Sequence, residues 1–279
     1  VTQRAPRALG PLDRSSRVRA GAAGWLLAAL AALGVTGCGA DVSEEIPQTS
    51  LDVVAVHPRA EGFTLGLELL EGGRLLHSTG LRGDSEIRIE DLDGSVIERQ
   101  PLPDDEFGEG ATLVGDTAYQ LTWRSGVVHT WTLPALEPGP DYGIETEGWG
   151  LCHDESRDLL WLSDGSSRLH ELGLPDLDPG ATVEVTRDGQ PVSMINELEC
   201  LDGHVWANVW RSDDVIEIDP DTGRVVSAHD LSELAELMQP DDPGDVLNGI
   251  AYDGSDGTWL VTGKRWDRTF RLRLDGDTG

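Results

Sequence analysis

Lysine is all but missing: Lys264 is the only one in a chain of 279 residues, and every other basic side chain is arginine. Basic charge as a whole is scarce, with 21 Lys and Arg against 51 Asp and Glu, a formal net charge of −30. So acidic a surface repels polyanions, which argues against nucleic acid and anionic membrane surfaces as partners over most of its area. Cysteine is limited to Cys38, Cys152 and Cys200, and no CxxC or HxxxH spacing occurs, so nothing points to a metal centre. Phenylalanine is confined to Phe63, Phe107 and Phe270, against nine tryptophans. The apolar run Gly21 to Val35 has fifteen residues, short of the ~20 that span a bilayer.

What is present begins with an export signal. Arg4, Arg7, Arg14, Arg17 and Arg19 precede the apolar run, which ends in "VTGC", Val35 to Cys38. That ending has the form of a bacterial lipobox, with Cys38 as the lipidated residue; the alternative is an ordinary signal peptide with an incidental cysteine. Residues 1–38 are thus expected to be removed as a lipoprotein-type signal, with 39–50 a polar tether and 51–279 the folded domain. The expected location is the cell envelope, with the membrane touched only through the lipid, or else the periplasm or the medium. Without residues 1–38 the balance is 16 basic against 50 acidic residues, or −34.

Repeats organise the rest. Similar openings occur at Gly66, Gly110, Gly150, Glu197 and Gly249, at intervals of 44, 40, 47 and 52 residues. Each reads as a strand, an acidic or glycine turn, and a returning strand. A third alternating run follows each: "SEIRIEDL", "VVHTWTL", "RLHELGL", "DVIEID" and "TFRLRL". Fourth runs such as "GSVIERQPL" and "GRVVSAHDL" complete some units. Four antiparallel strands at this period predict an all-β fold, a five-bladed β-propeller. The fifth unit stops after its third strand, so "LDVVAVHPR", Leu51 to Arg59, is expected to close it and remove the exposed edges. Between units four and five, Asp230 to Val246 reads as a short helix with Asp230 and Glu233 as its capping pair, then a loop.

In a blade, the start of the first strand and the end of the second meet at the mouth of the central channel. That rule gathers Phe63 with Leu65, Phe107 with Glu109, Trp149, Asn196 and Asn248 from strand starts. From strand ends it gathers Thr79, Trp123, Asp164, Trp210 and Lys264. The set describes an aromatic-walled pocket holding carboxylate, cation and amides. Aromatic walls are expected to raise the pKa of Glu109 and Lys264 to oppose the rise, a balance suited to accepting and returning a proton. Trp131, Trp161, Trp206 and Trp259 fall within strands and are assigned to packing. Cys152 and Cys200 sit at similar depth on neighbouring inner strands, as a disulfide or as two buried thiols.

The phrases "FGEG…YQLTW", "EGWGL", "INELE…VWANVW", "DVLNGIA" and "VTGKRW" resemble the plant-type and bacterial glutaminyl-peptide cyclotransferases. The resemblance runs from Gly62 to Phe270. It implies a metal-independent five-bladed propeller without cofactor, expected as a monomer, that acts on peptides or proteins with N-terminal glutamine. It makes pyroglutamate and releases ammonia. It further implies Glu109 as acid/base, Asn196 and Lys264 as the residues that bind and polarise the side-chain amide, and Phe63, Phe107, Trp123, Trp149 and Trp210 as the enclosing wall. Leu65 departs from the family pattern, which has glutamine there; if that glutamine touches substrate, this chain lacks a polar contact. A non-catalytic surface propeller that binds N-terminal peptides or another ligand is the competing expectation. A calcium-dependent propeller hydrolase, suggested by acidic turns such as "DPDTG", is opposed by the position of those turns between outer strands.

Overall fold

The computed structural model of the protein describes residues 49–239 and 242–274. The expected signal of residues 1–38, its Cys38, and the tether up to residue 48 lie outside the described residues. Strand β1 (Asp52–Pro58) comes first, followed by blade one: β2 (Thr64–Leu70), β3 (Arg74–Thr79), β4 (Glu86–Glu90) and β5 (Val96–Pro101). Blade two has β6 (Gly108–Val114), β7 (Thr117–Thr122) and β8 (Val127–Thr132), edged by the two-residue strands β9 (Glu137–Pro138) and β10 (Tyr142–Gly143). Blade three has β11 (Leu151–Asp154), β12 (Leu159–Ser163), β13 (Arg168–Gly173) and β14 (Asp178–Glu184). A small hairpin, β15 (Thr186–Arg187) and β16 (Gln190–Pro191), extends the outer edge of blade four. That blade comprises β17 (Ile195–Leu201), β18 (His204–Val209), β19 (Asp214–Asp219) and β20 (Arg224–Asp230).

After the helix α1 (Ser232–Met238) come β21 (Leu247–Asp253), β22 (Thr258–Gly263) and β23 (Arg268–Arg273). The fifth sheet runs β1-β23-β22-β21, so the N-terminal strand does close the last blade, pairing antiparallel with β23 from Asp52↔Arg273 to Pro58↔Arg268. The five inner strands β2, β6, β11, β17 and β21 each touch the next, and β21 touches β2, which makes a ring.

Alternating side chains bury the facing sheets against one another. Among the described residues the apolar core divides into five clusters, one per blade interface. Trp131 fills the first interface and Trp161 the third. Trp206 and Trp259 fill the fourth, their ring centroids 4.5 Å apart. These four are packing residues, as their positions within strands imply.

The closure between blades five and one is the poorest in apolar contacts, built on Leu67, Leu75, Ala251 and Leu260. A buried polar network reinforces it. Arg59 donates to Thr262 Oγ1 (3.0 Å) and the Gly263 carbonyl (3.2 Å), and also meets His77, which pairs with Glu90 at 2.9 Å. Burial and the adjacent Arg59 hold His77 down to about 3, so it is a neutral link between the guanidinium and the carboxylate. The clasp grips the chain just before Phe63 and just before Lys264, two residues of the pocket.

Four of the five inner strands, all but β11, break register at the same height. Thr64↔Thr79 is followed by Gly66↔Ser78, Gly108↔Thr122 by Ala111↔Gln120, Ile195↔Val209 by Leu198↔Ala207, and Leu247↔Gly263 by Ile250↔Val261. Such bulges re-aim side chains, and Glu109, Asn196 and Asn248 all lie within them. Beneath, the backbones converge so closely that a Cβ on Gly110 would stand 2.7 Å from Gly150 Cα, and one on Gly150 would stand 2.0 Å from the Asn196 carbonyl oxygen. Only glycine permits this approach. Blade four carries Glu197 at the matching position, and its carboxylate accepts the backbone N–H groups of Ile250 (3.0 Å) and Leu67 (3.3 Å).

Cys152 of β11 and Cys200 of β17 form a disulfide across blades three and four, 48 residues apart in sequence. A Cys200→Ser variant is expected to lose about 2–4 kcal/mol of stability by removing this cross-link, read as a lower midpoint in urea. The capping expectation for α1 fails. Its N-cap is Leu231, with no side-chain cap bond. Asp230 instead accepts the Ser232 N–H in a local turn, and Glu233 is drawn outward to accept from Ser50 N (2.8 Å) and Thr49 Oγ1 (2.5 Å). The last two residues of the expected tether are therefore fastened to the domain.

Candidate active site

At the channel mouth lies a pocket of about 550 Å³ lined by Glu109, Lys264, Asn196, Phe63, Phe107, Trp123, Trp149 and Trp210, all expected there, and by Leu81, Arg124, Gly165 and Met194. Hydrogen bonds beyond the ladders fix the aromatic residues. Phe107 O receives Trp123 N–H (2.9 Å), Met194 O receives Trp210 N–H (2.8 Å), and Lys264 O receives Thr64 N–H (2.8 Å), directly beside Phe63.

The rings form a fence in blade order. Phe63 meets Phe107 edge-on with centroids 6.2 Å apart, and Phe107 meets Trp123 at 5.6 Å. Glu147 Oε2 then accepts the indole N–H of both Trp123 (2.8 Å) and Trp149 (3.1 Å). Trp149 meets Trp210 edge-on at 5.7 Å. Lys264 closes the circuit, its Nζ 5.6 Å from the Trp210 ring centre and 5.2 Å from that of Phe63. These cation–π approaches hold the ammonium over the pocket while it is largely stripped of water.

Glu109 is 6 % exposed and Lys264 7 %. Burial pushes the Glu109 carboxyl well above the ordinary carboxylate range; Lys264 pulls it back and the negative Glu147 adds to the rise. Burial likewise lowers the Lys264 ammonium, with Glu109 opposing. The proton affinities of the two groups are thus drawn toward each other.

The orientation of Asn196 follows from its neighbours. Asn248 Nδ2 donates to the Thr64 carbonyl at 3.1 Å, and since that carbonyl can only accept, the Asn248 oxygen must face the other way. There it accepts Asn196 Nδ2 at 2.7 Å, which leaves Asn196 Oδ1 as the atom without a partner, buried at the edge of the pocket. A buried acceptor left open in a pocket is an invitation to a ligand N–H.

Some expected mouth residues are elsewhere. Thr79 is buried and its hydroxyl accepts the Glu86 N–H. Asp164 turns back onto its own blade, accepting Ser166 N–H (2.9 Å) and pairing with His170 (3.0 Å). Asn248 acts one shell out, through Asn196. Leu65 is 1 % exposed and does not line the pocket; it packs under Gly80 beside Phe107. The sequence rule missed Leu81 and Met194, which enter from loops with positive φ (90° and 68°), and Glu147, which orients two indoles. The "EGWG" phrase around Trp149 was the available signal for Glu147.

Gly165 is a tight point of the wall. Its φ is +78°, and a Cβ there would lie 2.5 Å from the Trp149 ring. Gly165→Ala is expected to tilt that indole and raise KM about tenfold with a smaller change in kcat, measured by steady-state kinetics. Among the described residues no group of three or more His, Cys, Asp or Glu side chains is placed to hold a metal ion.

Fold and site together define a five-bladed propeller with a buried carboxylate and lysine in an aromatic-lined pocket at its channel mouth. The comparisons with known proteins give it a family: the chain belongs to the glutamine cyclotransferase family, which it matches over residues 26–274. It is 34% identical over 244 residues to the glutaminyl-peptide cyclotransferase of Arabidopsis thaliana, covering 86% of this chain and 75% of that one. It superposes on the crystal structure of Myxococcus xanthus glutaminyl cyclase with a TM-score of 0.75 at 36% identity, covering 80% of this chain and 95% of that one.

Proposed function

We propose that the protein cyclises N-terminal glutamine of peptides to pyroglutamate with release of ammonia, and that Glu109 carries the proton. The observation that bears most weight is the buried Glu109–Lys264 pair inside a closed aromatic fence. The glutamine side chain fills the fence in a folded form, which brings the α-amine nitrogen against the side-chain carbonyl carbon. A new C–N bond forms while the carbonyl oxygen becomes an oxyanion. The Lys264 ammonium, a compact point charge, stabilises that oxygen.

Glu109 as carboxylate takes a proton from the attacking nitrogen and gives it to the side-chain nitrogen. The old C–N bond then breaks, ammonia leaves, and the lactam remains. Asn196, with its Nδ2 committed to Asn248, offers Oδ1 to an N–H of the side-chain amide and so turns the amide oxygen toward Lys264. Its part in polarising the amide is therefore indirect. The rings of Phe63, Phe107, Trp123, Trp149 and Trp210 exclude water, which would otherwise compete with the amine. No step calls for a metal or cofactor.

The domain is also proposed to be exported and held to a membrane by a lipid on Cys38, and to act as a monomer. Labelling cells with a fatty-acid analogue checks the first, since a Cys38→Ala variant should take up no label. For the activity, purified protein and a Gln-initiated peptide should give ammonia and a pyroglutamyl product faster than the spontaneous reaction. A rate equal to the buffer control would reject the proposal.

A further inference from the structure

The pocket rim carries three arginines in a chain that is otherwise strongly acidic. Arg124, Arg211 and Arg265 each directly follow a pocket residue at the end of a second strand: Trp123, Trp210 and Lys264. In each turn the first residue lines the pocket and the next lays its guanidinium over a ring of the fence. The Arg124 guanidinium sits 3.9 Å from the Trp123 ring centre, that of Arg211 4.3 Å from Trp210, and that of Arg265 4.9 Å from Phe63. A guanidinium laid on a ring keeps its N–H edge free for a carboxylate, and the stacking limits the entropy lost on binding one.

The rim also contains acids, and these are engaged. Glu147 Oε1 pairs with Arg124 at 2.7 Å and its other oxygen serves the two indoles; Asp245 pairs with Arg265 at 2.7 Å. Arg211 is exposed and makes no ion pair among the described residues. It is a cation without an ion-pair partner among the described residues, stacked on a ring that walls the pocket.

Resting on the glutamine-cyclising reading, we propose that this arginine rim, with Arg211 at its centre, selects peptides that present a carboxylate just after the N-terminal glutamine. The carboxylate comes from an Asp or Glu side chain or from the terminal carboxylate of a very short peptide. Each source meets the same planar N–H edge.

The test compares C-terminally amidated Gln-Glu-Ala, Gln-Ala-Ala and Gln-Lys-Ala, and Gln-Ala with its terminus free or amidated. The expected kcat/KM is about threefold to tenfold higher for Gln-Glu-Ala than for Gln-Ala-Ala, lowest for Gln-Lys-Ala, with the difference shrinking in high salt. The two Gln-Ala forms show whether a terminal carboxylate serves as well. In Arg211→Gln the ratio between the Glu and Ala peptides should fall to about one, and Arg124→Gln should reduce it in part. Equal rates for the three tripeptides, or a preference unchanged in both variants, would overturn the proposal while leaving the cyclisation reading intact. If no peptide is turned over, the cyclisation reading fails instead. Quenching of the pocket tryptophans by the same peptides then decides the rim question, tighter binding of Gln-Glu-Ala supporting it and equal binding rejecting it.

Discussion

A Glu109→Gln variant is expected to cyclise Gln-initiated peptides about a hundredfold to ten-thousandfold more slowly than the wild type, the range that a positioned acid/base supplies. The substitution keeps shape and removes only the ability to carry a proton, so KM should change much less than kcat. The pH dependence gives a second readout. Glu109 must be ionised to accept a proton, and burial sets its pKa above the ordinary 4.5. Wild-type activity should therefore fall as pH drops through a midpoint above that value, and the acid limb due to Glu109 should vanish in the variant. Glu147→Gln removes a neighbouring negative charge and should move the limb to lower pH. A limb unmoved in both variants would mean that Glu109 is not the titrating group.

The second large effect belongs to Lys264. Lys264→Met removes the only cation in the depth of the pocket and is expected to cost about a hundredfold to a thousandfold in kcat, as when a donor to a developing oxyanion is lost. Lys264→Arg keeps the charge, yet it should still lose at least about tenfold, because a planar fork does not occupy the space of an ammonium wedged between Phe63 and Trp210. Burial places the lysine below its ordinary 10.5. The wild type should therefore lose activity as pH rises through that lowered value, whereas Lys264→Arg should show no such alkaline limb. Full activity in the arginine variant would show that Lys264 serves only as a cation.

Much of this was legible in the sequence because blades repeat. Alternation and turn residues placed the inner strands, and the missing strand of unit five pointed to Leu51–Arg59 as its closure. The scarcity of lysine directed attention to Lys264, which lies buried in the pocket just after β22. What stayed hidden depends on register and loop conformation. The bulges that aim Glu109 and Asn196 arise from hydrogen-bond slips between paired strands, and no residue type announces them. Asp164 and Thr79 occupy the same topological slot as Trp123 and Trp210, but short polar side chains find partners in their own turns before they reach the pocket. Leu81 and Met194 reach it from positive-φ loop positions unusual for such residues. Whether Leu65 costs a polar contact depended on where its side chain lies, which is in the wall behind Phe107, outside the lining.

The central claim is that a dry pocket makes the peptide's own amine, and not water, attack the side-chain amide. It is tested most directly by running the reaction in water enriched in heavy oxygen and weighing the product. The account predicts one ammonia released per peptide and a pyroglutamyl product carrying no label from solvent. A glutamate product bearing heavy oxygen, or ammonia released no faster than in buffer alone, would contradict it.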